Sequence, residues 1–211
     1  MAKCQIRGNM IIGIFGGIGS GKSLVLDILK NDYAAYVIEA DKKAHEFYEI
    51  GEDTYKKLVE LCSDKILDSN KSINRKVLAD LLYNDKELLA KVNSIVHPRV
   101  WERIEKEALE KQKEFSYVVV EAAILPDKKY NIYDETWYIY SDETTRRKRL
   151  KESRAYSDKQ IDVIIEKQAS EEEYCRFADR VIENNSSPEQ LKYKIAMAIE
   201  DIVEKKKAHL L

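Results

Sequence analysis

The chain has 211 residues, with 36 Lys and Arg against 38 Asp and Glu, a net charge of −2 and 35% charged residues. That length suits one domain, or one domain with an insertion, and is enough for a substantial core. The near-neutral balance argues against a nucleic-acid-coating protein, no apolar run approaches membrane-spanning length, and no apolar signal core opens the chain.

Met1–Asn9 precede the first strand-like run, and Met10 makes a natural start, so residues 1–9 are expected to be an upstream extension or a vector scar outside the fold. Met10–Phe15 is apolar and strand-like, and Ser23–Leu29 has helical spacing. Between them fall Gly16, Gly17, Gly19 and Gly21, four of the seven glycines in the chain. Glycine weakens regular elements, so this clustering marks a backbone shape that Cβ atoms would obstruct. Gly16 to Ser23 fits G-x-x-x-x-G-K-[ST] without a mismatch. In such a loop successive N–H groups converge on an anion at a helix N-terminus, where the helix dipole also favours negative charge. The pattern predicts nucleoside triphosphate binding through Gly17, Ile18, Gly19, Ser20, Gly21, Lys22 and Ser23. Lys22 supplies a mobile cation for the β- and γ-phosphates, and the Ser23 hydroxyl a hard oxygen ligand for Mg²⁺.

Ala35–Glu39 reads as a second strand, followed by a helix from about Lys42. Residues 53–115 read as consecutive helices: Thr54–Cys62, Asn74–Tyr83, and a third with Leu88, Leu89, Val92, Ile95 and Val96 on its apolar face. Pro98 is expected to interrupt or kink that last pattern. Strands return at Tyr117–Val120 and Thr136–Tyr140, charged helices span roughly 143–176, Asp179–Ile182 is a short strand, and Leu191, Ile195, Ile199 and Ile202 mark a closing helix. The expected class is α/β, a parallel sheet covered by helices on both faces.

In such sheets ligands sit beyond the carboxyl ends of the strands. There the second strand runs into Glu39-Ala40-Asp41 and the third ends in Glu121. Asp41 has two readings that spacing leaves even: a carboxylate that takes the proton of an attacking hydroxyl or holds a water on Mg²⁺, or the N-cap of the Lys42 helix. Cys4, Cys62 and Cys175 lack metal or redox spacing and read as reduced thiols of a cytoplasmic protein. His45 and His209 have no partner at metal-ligand spacing and read as surface or packing residues.

Several segments together resemble the dephospho-CoA kinases: the phosphate loop, Glu39-Ala40-Asp41, Val96-His97-Pro98-Arg99-Val100, Glu121-Ala122-Ala123-Ile124-Leu125 and Ala178–Asn185. The resemblance runs from Met10 to about Val203. The family usually has Asp-Ala-Asp at the turn, so Glu39 departs from it while Asp41 keeps the second acid. The resemblance implies a P-loop kinase fold with a helical substrate-binding insertion and a short lid. It implies ATP- and Mg²⁺-dependent phosphorylation of the ribose 3′-hydroxyl of dephospho-CoA, the final step of coenzyme A biosynthesis. The nucleotide core would then comprise residues 10–52 and 116–211, with a lid near 141–159 and the acceptor-binding insertion at 53–115. Asp41, Lys22, Arg149 and Arg154 are the expected catalytic residues, and Arg149 and Arg154 match phosphate-facing arginines of the family. For Arg146 and Arg147 a solvated helix face is the preferred reading. His97, on the acceptor side, joins Asp41 and Glu121 as expected substrate contacts, and Ser23 and Asp41 are the expected metal ligands. Asn184 and Asn185 form a turn bordering the adenine, with Asn185 counted as ATP-binding; substituting either is expected to do little. A nucleoside or nucleoside monophosphate kinase of the same fold is the alternative, and an ATPase switch module a more distant one.

Overall fold

The structure is a computed structural model that describes residues 9–126 and 132–208. The expectations for residues 1–8, Cys4 among them, and for His209 lie outside the described residues. Asn9 is held in the fold, its carbonyl accepting from Gln112 Nε2 (2.8 Å) and Lys206 Nζ (3.0 Å).

All six residues of β1 (Met10–Phe15) are buried, as a run without a polar side chain requires when both neighbours in the sheet are occupied. The sheet has five strands in the order β2-β3-β1-β4-β5, with β2 at Tyr36–Glu39, β3 at Tyr117–Ala122, β4 at Glu135–Tyr140 and β5 at Arg180–Glu183. β1 pairs in parallel with β3 and β4, and β4 with β5. Alternation along β1 sends Met10, Ile12 and Ile14 to one face. There they pack with Val25, Ile28 and Leu29 of α1 (Lys22–Tyr33) and with Leu191, Ile195 and Ile199 of the closing Pro188–Ala208 helix. On the other face the Phe15 ring meets Phe177 edge-on at 5.0 Å and Tyr133 at 5.5 Å. Each such buried side chain contributes on the order of 1.5–3 kcal/mol.

The described residues form two compact units, one drawn from residues 9–38 and from those after 106, the other of Glu39–Lys106. The second contains α2 (Ala40–Glu46), α3 (Asp53–Cys62), a 3-10 turn at Asp64–Ile66, α4 (Arg75–Asn84) and most of α5 (Lys86–Lys111). Asn74 caps α4, its side chain accepting from the N–H groups of Lys76 and Val77. Of the two expected effects of Pro98, interruption does not occur: α5 runs through it without a break. A proline there removes the hydrogen bond to the Ser94 carbonyl, at a cost of about 3 kcal/mol. Val92 and Val96 before it, and Val100, Trp101 and Ile104 after it, are all buried; together they outweigh that loss.

The charged stretch after β4 resolves into α6 (Glu143–Arg154), α7 (Asp158–Glu166) and α8 (Glu171–Phe177). Local chemistry sets the breaks. Asp142 caps α6, Ala155 ends it in the left-handed conformation at φ 52°, and Ser157–Gln160 and Ser170–Glu173 form capping boxes for the next two. The closing helix, Pro188–Ala208, is α9. Cys62 and Cys175 are free thiols. Among the described residues no helix is long and apolar enough to cross a membrane.

Candidate active site

The β1–α1 turn is held by side chains that bond to its carbonyls. Lys22 Nζ donates to the Gly16 carbonyl at 2.8 Å and Arg146 Nε to that of Ile18 at 2.9 Å. The Ser20 carbonyl accepts from Asn184 Nδ2 at 2.8 Å, Ser141 Oγ at 3.2 Å and Arg149 Nη1 at 3.4 Å. Anchoring the carbonyls fixes the peptide planes, which is how a concave site of N–H groups is kept in shape. One loop N–H goes outward: that of Ile18, to Gln168 Oε1 at 3.0 Å.

The glycines follow from this packing. A Cβ on Gly21 would collide with the Asn184 amide, and φ there is +89°. On Gly17 it would meet the Arg146 guanidinium, with Cζ at 2.6 Å and Nη1 at 3.0 Å. Side chains at either place would push away the groups that hold the loop.

The Lys22 ammonium also pairs with Glu121 at the end of β3 (3.3 Å), both side chains close to nine-tenths buried. Two expected site residues are thus brought together, and the lysine is poised beside the loop rather than free in solvent. Ser23, in the first turn of α1, is exposed. Asn185 Oδ1 accepts from the Asp142 N–H at 3.0 Å, tying the loop after β5 to the start of α6.

The α6 arginines divide differently from the sequence reading. Arg146 is not on a solvated face: it is half-buried against the loop, with Nη2 donating to Gln168 Oε1 at 2.9 Å. Arg147 is on the solvated side, paired with Glu143 (2.7 Å) and Asp162 (2.5 Å). Arg149 braces the loop from behind, Nη1 donating to Ser141 Oγ at 3.0 Å and Nη2 to the Asn184 carbonyl at 2.9 Å. Arg154, the last residue of α6, is exposed, with its guanidinium 6.0 Å from the Tyr156 ring centroid. Asn184 also corrects its expectation. At 2% exposure, with Nδ2 on the Ser20 carbonyl, its side chain is a buried loop anchor rather than a free turn residue.

In the helical unit, α2 begins at Ala40 with Glu39 as its N-cap and no side-chain cap bond. Asp41 therefore sits inside the first turn, exposed, and the cap reading of it falls. The helix starts two residues earlier than expected because the extended Glu39 (φ −101°, ψ 113°) turns directly from strand to helix. A carboxylate in the first turn is favoured by the helix dipole. Glu39 pairs with Lys42 at 2.6 Å. Burial holds the half-buried His97 below the usual histidine range, so it tends to the neutral form.

Sequence reasoning missed Gln168, Ser141 and the loop-facing Arg146. They lie more than a hundred residues from the loop, in stretches whose composition signals only a charged helix. A cavity of about 310 Å³ opens beside them, with Tyr138, Tyr140, Tyr174, Arg146, Gln168 and Glu171 in its lining. Tyr138 and Tyr174 stack at 4.8 Å, and burial and the Glu171 carboxylate push the Tyr138 hydroxyl up to about 12.

A parallel sheet whose central strand feeds a glycine-rich anion loop, overlaid by arginine-bearing helices after the next strand, defines a P-loop kinase. The comparisons with known proteins are narrower. A family model described as dephospho-CoA kinase matches residues 10–190. The dephospho-CoA kinase of Aquifex aeolicus is 33% identical over 193 residues, covering 90% of this chain and 96% of its own. A solved structure from Thermus thermophilus superimposes with a TM-score of 0.76 at 27% identity over 91% of this chain and 97% of that one. The dephospho-CoA kinase structure from Campylobacter jejuni, at 23% identity and TM-score 0.62 over 91% and 96%, shares the fold. The chain belongs to the dephospho-CoA kinase family, and it is an ATP-dependent phosphotransferase.

Proposed function

We propose that this enzyme transfers the γ-phosphoryl group of ATP to the ribose 3′-hydroxyl of dephospho-CoA. The observation that carries the reading is the braced phosphate loop, with Lys22 held at its entrance, in a chain matched by the dephospho-CoA kinase family over residues 10–190. Phosphoryl transfer asks a protein mainly for positioning and for positive charge where negative charge spreads in the transition state. Gly17 and residues 19–23 bind the triphosphate through N–H groups and the Lys22 ammonium, Ile18 being part of the same loop with its own N–H turned to Gln168, and Asn185 borders the nucleotide. Arg154 acts in transfer from the end of α6, and Arg149 supports transfer through the loop carbonyls that it braces. Asp41 takes the proton of the attacking hydroxyl, and His97 and Glu121 contact the acceptor, which the helical unit clasps.

Mg²⁺ fits the groups present. The Ser23 hydroxyl is exposed, and no cluster of three or more His, Cys, Asp or Glu occurs among the described residues. That suits a cation carried mostly by phosphate oxygens. Ser23 and Asp41 would hold it, and it supplies neutralisation of phosphate charge. The free thiols of Cys62 and Cys175 support a cytoplasmic setting. The test is ADP release with dephospho-CoA, with nucleoside monophosphates and with no acceptor. Turnover confined to dephospho-CoA is expected; turnover with a nucleoside monophosphate and none with dephospho-CoA would overturn the acceptor.

A further inference from the structure

Arg146 and Gln168 are placed as a unit on one peptide of the phosphate loop. Arg146 Nε donates to the Ile18 carbonyl at 2.9 Å, while the Ile18 N–H donates to Gln168 Oε1 at 3.0 Å. The ring closes with Arg146 Nη2 donating to that same Gln168 oxygen at 2.9 Å. A guanidinium has five N–H donors in one rigid plane. Two are spent here, and they fix the plane against Gly17, where a Cβ would strike it.

The charge of this guanidinium is unanswered. Among the described residues no carboxylate lies within ion-pair distance of Arg146, although its neighbour Arg147 has Glu143, Asp158 and Asp162. A half-buried cation lacking a counter-ion, beside a loop built to take an anion, points to the anion as its partner. Its position along the loop says which part. Lys22 Nζ, the cation that serves the β- and γ-phosphates, sits at the Gly16 carbonyl. Arg146 lies over Gly17 and Ile18, at that same end, whereas Arg149 bonds to Ser20 and to groups behind the loop.

We infer that Arg146 binds the terminal phosphoryl group of the nucleoside triphosphate, and that Gln168 is the positioning residue that orients it. The inference rests on the kinase reading of the loop but not on the acceptor. Gln168 is suited to the role because it is neutral: its oxygen fixes Arg146 without cancelling the charge.

The test compares equilibrium affinity for a non-hydrolysable ATP analogue and for ADP, both with Mg²⁺ and without acceptor. Arg146→Gln is expected to weaken the ATP analogue by about 10- to 100-fold, the range of a charge-assisted hydrogen bond, and ADP by less than about threefold. Gln168→Glu keeps the accepting oxygen, so the loop contact and the melting temperature persist. Its carboxylate neutralises Arg146, so preference for the ATP analogue over ADP falls by about tenfold or more. A purely structural role for the pair would leave that preference intact in Gln168→Glu. Equal losses for both nucleotides in Arg146→Gln, or an unchanged ratio in Gln168→Glu, would overturn the inference. If Arg146→Gln fails to fold, Gln168→Glu decides alone. A wild-type protein that binds both nucleotides yet leaves dephospho-CoA unphosphorylated would refute only the acceptor assignment, since the ratio is read without it.

Discussion

Replacing Asn184 by alanine tests whether the phosphate loop owes its shape to groups behind it. The substitution removes one donor, Nδ2, from the Ser20 carbonyl at 2.8 Å, inside a site where Asn184 is 2% exposed. A buried hydrogen bond contributes about 1 kcal/mol net, and stranding its partner raises the cost towards 2–3 kcal/mol. Here the stranding is partial, because Ser141 Oγ at 3.2 Å and Arg149 Nη1 at 3.4 Å still reach the Ser20 oxygen. The backbone carbonyl of Asn184 also keeps its own two donors, Ser141 Oγ and Arg149 Nη2. The loss should therefore be about 1–2 kcal/mol, and the melting temperature should fall by about 2–8 °C for a chain of this length. A freed Ser20 peptide spoils the convergence of the loop N–H groups, so ATP affinity should fall by about tenfold, the equivalent of 1.4 kcal/mol. Thermal unfolding and equilibrium titration with ATP measure both effects on one sample. An alanine variant with unchanged melting temperature and ATP affinity would refute the idea that this anchor shapes the loop.

Two further outcomes are expected. Asp41→Asn should lower the melting temperature by no more than about 4 °C, since the side chain is exposed, does not cap α2 and loses only its interaction with the helix dipole, while the rate of CoA formation falls by about a hundredfold or more if general-base help is lost; a stable variant with full turnover would remove Asp41 from the chemistry. His97 has a folded-state pKa depressed below 6.5 by burial, so the unfolded chain takes up its proton first and stability falls as pH drops below about 6.5. His97→Gln should flatten that part of a stability–pH profile, and an identical profile in the variant would show that His97 does not contribute to it.

The phosphate loop was legible because its chemistry is contiguous: the motif from Gly16 to Ser23 lies between a strand and a helix that periodicity identifies. The strands were legible for a related reason, since a fully buried parallel strand such as β1 shows itself as an unbroken apolar run. What holds the loop was not. The contacts of Arg146, Gln168 and Asn184 with it span 128, 150 and 164 residues, and no local pattern marks an arginine as facing a distant peptide rather than water. The neighbouring Arg147 has the same composition around it and the opposite fate. The continuity of α5 through Pro98 was not legible because a residue-level penalty says nothing of the buried side chains on both sides of it, and spacing left Asp41 open between cap and carboxylate because it does not show that one extended residue moves the start of α2.

The place of β1 in the sheet has a consequence for how the protein is made. The strand that emerges first from the ribosome is the central one, and both of its partners come late: Met10 is opposite Tyr117, and Ile12 opposite Glu135. At about 5–20 residues per second, a stretch of a hundred residues takes about 5–20 seconds to translate. Throughout that time β1 has no sheet to join. Six consecutive apolar or glycine residues, Met10–Phe15, with every backbone donor and acceptor open, form the kind of segment that pairs with whatever strand is nearest. Chaperone demand during synthesis should therefore concentrate on these first residues of the sheet, and a charge placed in β1 to quiet them could not be kept once the finished sheet encloses the strand on both sides.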